Sequence, residues 1–89
     1  MAWRVELSVE VDRALAKLDD QHAKRILKFL HERVAKLEDP RRIGKALQGP
    51  RLGEFWRYRV GDYRLICKIV DDRLVVLVLR LGQRKEVYR

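Results

Sequence analysis

The sequence predicts an α+β domain in the order β-α-α-β-β-β, a mainly antiparallel twisted sheet with a two-helix layer packed on one face. Two patterns and one asymmetry lead there. Apolar and charged residues alternate near the N-terminus and again from Glu54 onward, as strands half-buried on a core require. Between these segments apolar residues recur at helical spacing. The asymmetry is in charge: residues 1–40 hold eight Lys/Arg and eight Asp/Glu, and residues 41–89 hold thirteen against five, so the whole net charge of +8 lies in the second half.

Taken in order, Trp3, Val5 and Leu7 alternate with Arg4 and Glu6 as a first strand. Ser8 offers an N-cap hydroxyl to a short helix with Val11, Ala14, Leu15 and Leu18 on one side. Asp19-Asp20 interrupts that helix and caps the next, where a carboxylate is favoured by the helix dipole. The second helix carries the stripe Ala23, Ile26, Leu27, Leu30, Val34 and Leu37, with Lys24, Arg25, Lys28, Glu32 and Lys36 opposite. Asp39-Pro40 ends it, because the residue before proline is pushed out of helical angles. Arg41 to Gly53 reads as an ordered or semi-ordered connection. Glu54 to Val60 then puts Trp56, Tyr58 and Val60 on one face and Phe55, Arg57 and Arg59 on the other. Gly61-Asp62 turns into a strand from Tyr63 to Val70, and Asp71-Asp72 turns into another from Arg73 to Leu81. That last strand is nearly all apolar, which predicts a central position covered on both faces.

The 89 residues suit one domain, 1–89. The pI near 10.2 calls for a polyanionic partner, and charge alone leaves nucleic acid, an anionic membrane surface and an acidic protein open. No signal peptide is expected at the mixed-charge N-terminus, and the longest apolar run, Leu74 to Leu79, is the length of one buried strand. The single Cys67 can form no internal disulfide, and a reducing, cytoplasmic setting is expected. His-Glu-x-x-His, phosphate-binding glycine loops, Gly-x-Ser-x-Gly and metal-spaced Cys/His clusters are all missing. His22 and His31 fall on the second helix and read as structural, so a histidine-based nuclease is not expected.

What remains is the strand chemistry. Arg57 and Arg59 project from one face of one strand, and the hairpin brings Arg64 or Lys68 into reach, depending on register. Guanidinium groups gathered on one face suit a phosphodiester, since each donates two hydrogen bonds in a plane and stays charged. Arg80 and, beyond Gly82, Arg84, Lys85 and Tyr88 continue the mixture of cations and aromatics that holds single-stranded RNA. Edge-strand arginines that guard against aggregation are the alternative reading of the same pattern.

With these residues in view, the chain resembles the RelE/ParE superfamily of type II toxins, in particular its RelE-like branch. The resemblance spans the chain. It rests on the element order, on Lys45-Ala46-Leu47-Gln48-Gly49, on Trp56-Arg57-Tyr58-Arg59-Val60-Gly61-Asp62-Tyr63-Arg64-Leu65, and on the ending Gly82-Gln83-Arg84-Lys85-Glu86-Val87-Tyr88-Arg89. It implies an mRNA interferase, an endoribonuclease that cleaves mRNA at the ribosome by attack of a 2′-hydroxyl on its own phosphate. Carried onto this sequence, it makes Arg64 and Arg84 the phosphate-stabilising cations and Tyr88, helped by Arg57 or Arg59, the candidate for proton transfer, with no metal or cofactor. Arg57, Arg59, Lys68, Arg80 and Lys85 would bind RNA. The best-known members carry lysines in the second strand; Arg57 and Arg59 cannot serve as general bases. Partners implied are mRNA, the ribosome and a cognate antitoxin in a hetero-oligomer, with no membrane. On the same scaffold, a ParE-like inhibitor of DNA gyrase and a non-catalytic RNA- or ribosome-binding module are the alternatives.

Overall fold

The computed structural model describes residues 3–48 and 55–83. Strand β1 (Arg4–Leu7) leads into α1 (Val9–Lys17), and α2 (Asp20–Lys28) continues as a π-helical turn over Phe29–Val34. A 3-10 turn at Pro40–Arg42 precedes β2 (Lys45–Ala46), β3 (Trp56–Val60), β4 (Tyr63–Val70) and β5 (Val75–Gln83). The sheet order is β1-β5-β4-β3-β2. β1 runs parallel to β5, and the other pairings are antiparallel. The expected α+β order is present, with β2 added inside the stretch that reads as a connection.

The caps sit where the sequence puts them. Ser8 Oγ accepts from the Val11 amide at 3.1 Å and donates to the Leu79 carbonyl at 3.0 Å, so the residue that starts α1 also ties it to β5. Asp19 accepts from the His22 amide at 2.9 Å, and that backbone bond is the main reason its carboxyl sits below the usual 3.8. Asp71 is lowered likewise, first by its two hydrogen bonds from the Arg41 guanidinium at 2.9 and 2.8 Å. Both folded-state values lie below the unfolded ones, so this contribution to stability is whole above about pH 4 and is lost as pH falls through the folded values. Acid titration followed by circular dichroism should therefore show stability falling below pH 4, and Asp71→Asn should flatten that fall. A fall of equal steepness in Asp71→Asn would contradict this assignment.

The helices cover one face of the sheet. Val11 and Leu15 of α1, with Ile26, Leu30 and Val34, pack on Tyr58, Val60, Leu65, Cys67, Val76 and Val78 in one cluster. Ile26, Leu30 and Val34 recur every four residues, a spacing that drifts around a regular α-helix. The π turn, closed by the Ala35 amide on the Leu30 carbonyl at 2.9 Å, is wider and keeps all three pointing into the core. β5 is interior, as its apolar run predicts, yet the described residues supply a helical layer on only one of its faces, and Leu77 and Leu79 stay half-buried.

Three aromatic side chains tie the segment after the helices to the sheet. Trp3 Nε1 donates to the Glu38 carbonyl at 3.0 Å, Trp56 Nε1 to the Ile43 carbonyl at 2.7 Å, and the Tyr58 hydroxyl to the Pro40 carbonyl at 2.6 Å. Trp3 and Tyr58 are buried and Trp56 half-buried, and in each the ring packs while its polar group finds a partner. This is what lays residues 43–46 alongside β3.

Candidate nucleic-acid interface

The register decides which cations meet. Arg59 of β3 lies directly opposite Arg64 of β4, and Arg57 lies opposite Ile66. On the flanks, β2 sets Lys45 opposite Arg57, and β5 sets Gly82 opposite Arg64 and Arg80 opposite Ile66. Residues directly opposite share a face, so Lys45, Arg57, Arg59 and Arg64 rise together from the side away from the helices. Arg64, not Lys68, is thus the cation that the hairpin brings to the second strand. Lys68 is exposed on β4 four residues farther on, about 13 Å along the strand. It stands opposite Leu77, itself beside Glu6 of β1. Arg80 is drawn towards α1, with Nε 3.7 Å from the Glu10 carboxylate. Arg84, Lys85 and Tyr88 lie outside the described residues.

Two features shape this face. Phe55, Leu47 and Ile66 form a small apolar cluster on it, separate from the main core and adjoining Arg57. The face therefore offers a partly buried ring beside guanidinium groups, the pairing that lets a base stack while its phosphate is held. Arg64 is flanked by Arg59 on one side and by Gly82 on the other. Gly82 contributes no side chain beside Arg64, and a second cation borders it on the neighbouring strand. Like charges directly opposite oppose folding by roughly 0.2–1 kcal/mol. Such an arrangement serves an anionic ligand better than it serves the fold.

The other titratable groups are structural. Burial pushes both the Cys67 thiol and the Tyr58 hydroxyl far above their ordinary values, so neither ionises near neutrality. His22 Nδ1 lies 2.8 Å from Asp19, with its ring edge-on to Tyr63 at 5.5 Å, on the core side of the hairpin. His31 is exposed on the π turn. Among the described residues no three His, Cys, Asp or Glu gather as metal ligands, and no helix is long and apolar enough to cross a membrane.

Lys45 is the residue that reading the sequence left out of the interface. The signal was present in Lys45-Ala46-Leu47, which alternates like a strand, but three residues before glycine and proline read more naturally as a loop. Only pairing with β3 makes them a strand, continued by the Leu47 amide on the Phe55 carbonyl at 3.1 Å.

The helical pair on one face of a mixed five-stranded sheet is a fold this chain shares with solved type II toxin–antitoxin structures. The chain superposes on the toxin–antitoxin complex RelBE2 of Mycobacterium tuberculosis with a TM-score of 0.83 and 27% identity, over 97% of this chain and 95% of that one. It superposes on the RelE–RelB complex of Pyrococcus horikoshii OT3 with a TM-score of 0.75 and 30% identity, over 98% and 100% of the two chains. The chain belongs to the RelE/ParE superfamily: the family model for the ParE toxin of type II toxin–antitoxin systems matches residues 5–88. It is also 30% identical to Toxin RelG of Mycobacterium tuberculosis, over 100% of this chain and 99% of that one.

Proposed function

We propose that this toxin is an endoribonuclease that cleaves mRNA at the ribosome. The observation that carries the reading is the Arg59–Arg64 cross-strand pair on the face away from the helices, beside Arg57 and the ring of Phe55. In the proposed reaction the ribose 2′-oxygen attacks the adjacent phosphorus, and a 2′-O–P bond forms as the 5′-O–P bond breaks. The products are a 2′,3′-cyclic phosphate and a 5′-hydroxyl. One proton leaves the 2′-hydroxyl and one is delivered to the departing 5′-oxygen. Arg64 and Arg84 would hold the charge that grows on the non-bridging oxygens. Tyr88, its phenolate favoured by Arg57 or Arg59, would move a proton. Arg57, Arg59, Lys68, Arg80 and Lys85 would bind the strand on either side of the cut.

By analogy with the two relatives solved as complexes, a cognate antitoxin would bind this chain in a hetero-oligomer. Its toxin-binding segment would be acidic or amphipathic, to meet the cationic face or the helices.

The test is purified protein added to translating ribosomes, with mRNA ends mapped. Wild type should produce discrete cuts that Arg84→Ala and Tyr88→Phe each reduce at least tenfold. The family model carries the name of ParE, so DNA supercoiling by gyrase is measured alongside. Gyrase inhibition with intact mRNA would replace this reading with the gyrase-directed one, and salt-sensitive RNA binding without cleavage would replace it with a binding module.

A further inference from the structure

A cavity of about 300 Å³ lies at the edge of β3, where β2 stops, and four cations line it: Arg33, Lys45, Arg57 and Arg59. Phe29, Tyr58, Ile43 and Gly44 complete its wall, and no carboxylate is among the described residues that do so. These cations come from three separate elements. Arg57 and Arg59 belong to β3, Lys45 is held opposite Arg57 by β2, and Arg33 arrives from the π turn. The guanidinium of Arg33 stands over the ring of Phe29, 5.9 Å from its centroid, and both residues line the cavity. The π turn that keeps Leu30 and Val34 buried also leaves Phe29 and Arg33, likewise four apart, side by side at the β3 edge.

We propose that this cavity is a second phosphate site, which holds a phosphodiester of the bound RNA at a nucleotide removed from the one cleaved, with Arg33 and Lys45 as its own contacts. The inference rests on the ribonuclease reading for the identity of the anion. The cavity shares Arg57 and Arg59 with the sheet face away from the helices, so a strand lying across Arg59 and Arg64 reaches it without leaving the cationic surface. Phosphodiesters spaced along a strand match cations spaced around an edge, and guanidinium groups take two phosphate oxygens in one plane.

The experiment measures binding of a 12-nucleotide single-stranded RNA, 2′-O-methylated so that it cannot be cut, across a salt series. The proteins compared are wild type, Arg33→Gln/Lys45→Gln, the charge-keeping Arg33→Lys/Lys45→Arg, and a control Arg13→Gln/Lys17→Gln that removes the same charge from α1. The cavity double variant should bind about 10- to 100-fold more weakly. Its plot of log affinity against log salt should be shallower by about 0.7–1.4. The charge-keeping variant should retain most of the affinity, and the α1 control should match wild type. All four side chains altered are exposed, so folding is retained, which circular dichroism checks. RNA binding by wild type with no loss in the cavity variant overturns the cavity assignment alone. Equal loss in the α1 control does the same, because it reduces the effect to net charge. A polyglutamate peptide that binds wild type as tightly and loses as much in the cavity variant assigns the cavity to an acidic protein instead. Wild type with no RNA affinity overturns this site, while the mapping of mRNA ends on translating ribosomes separately decides the ribonuclease reading.

Discussion

Arg64→Ala is expected to lower mRNA cleavage by about 10²- to 10³-fold, the usual loss when one preorganised donor to a developing oxyanion is removed. The protein should stay folded. Arg64 is only half-buried, and its cross-strand partner is another arginine, so its removal relieves repulsion and breaks no ion pair with Arg59. Thermal stability should hold or rise slightly, within roughly 0.2–1 kcal/mol, the range of a like-charge cross-strand pair. Loss of activity together with unchanged or raised stability is what separates a ligand-holding arginine from an edge-guarding one. Arg64→Lys gives an intermediate result, since an ammonium keeps the charge but cannot span two phosphate oxygens. Cleavage by Arg64→Ala at the wild-type rate would remove the Arg59–Arg64 pair from the proposed mechanism.

That pair was half legible in the sequence. Period-2 alternation assigns Arg57 and Arg59 to the face opposite Tyr58 and Val60, and the structure buries Tyr58 to 1% exposure while leaving Arg59 open. Register is a different matter. It depends on how the Gly61-Asp62 turn is closed, and Gly61, at φ +58°, sets a two-residue loop that puts Tyr63 opposite Val60 and hence Arg64 opposite Arg59. A register one residue different would have sent Arg64 to the core side. The helices were legible because their caps and stripe act locally: Ser8, Asp19 and the run from Ile26 to Val34 carry their own instructions. The parallel pairing of β1 with β5 joins residues about 70 positions apart, Arg4 with Val75 and Leu7 with Val78, and no local signal encodes it. β2 and the cavity were hidden for the same reason. Lys45 and Arg33 are unremarkable cations in the sequence until the Trp56 and Tyr58 hydrogen bonds draw residues 40–46 against β3.

Gly44 is where that arrangement is most vulnerable, and Gly44→Ala is expected to destabilise the protein by about 2–4 kcal/mol. Its φ of +82° lies in the left-handed region, which carries a penalty of about 1–2 kcal/mol for a residue with a Cβ. An added Cβ would fall 2.4 Å from the Arg57 carbonyl oxygen, 2.6 Å from Trp56 Nε1 and 2.9 Å from Tyr58 Cδ1. The first of these is backbone inside β3 and cannot swing away, so the chain at Gly44 must move instead. Moving it strains the Trp56 Nε1 bond to the Ile43 carbonyl, worth roughly 0.5–1.5 kcal/mol, and loosens the pairing of Lys45 with Arg57. Against a total of about 5–15 kcal/mol such a loss is large. Urea unfolding followed by Trp fluorescence should show a lower midpoint in Gly44→Ala with a similar slope. Because β2 carries Lys45 into the cavity, the folded fraction of Gly44→Ala should also bind single-stranded RNA more weakly than wild type. A stability loss below about 1 kcal/mol would mean that residues 43–46 shift without strain, and that β3, and not β2, sets the shape of this edge.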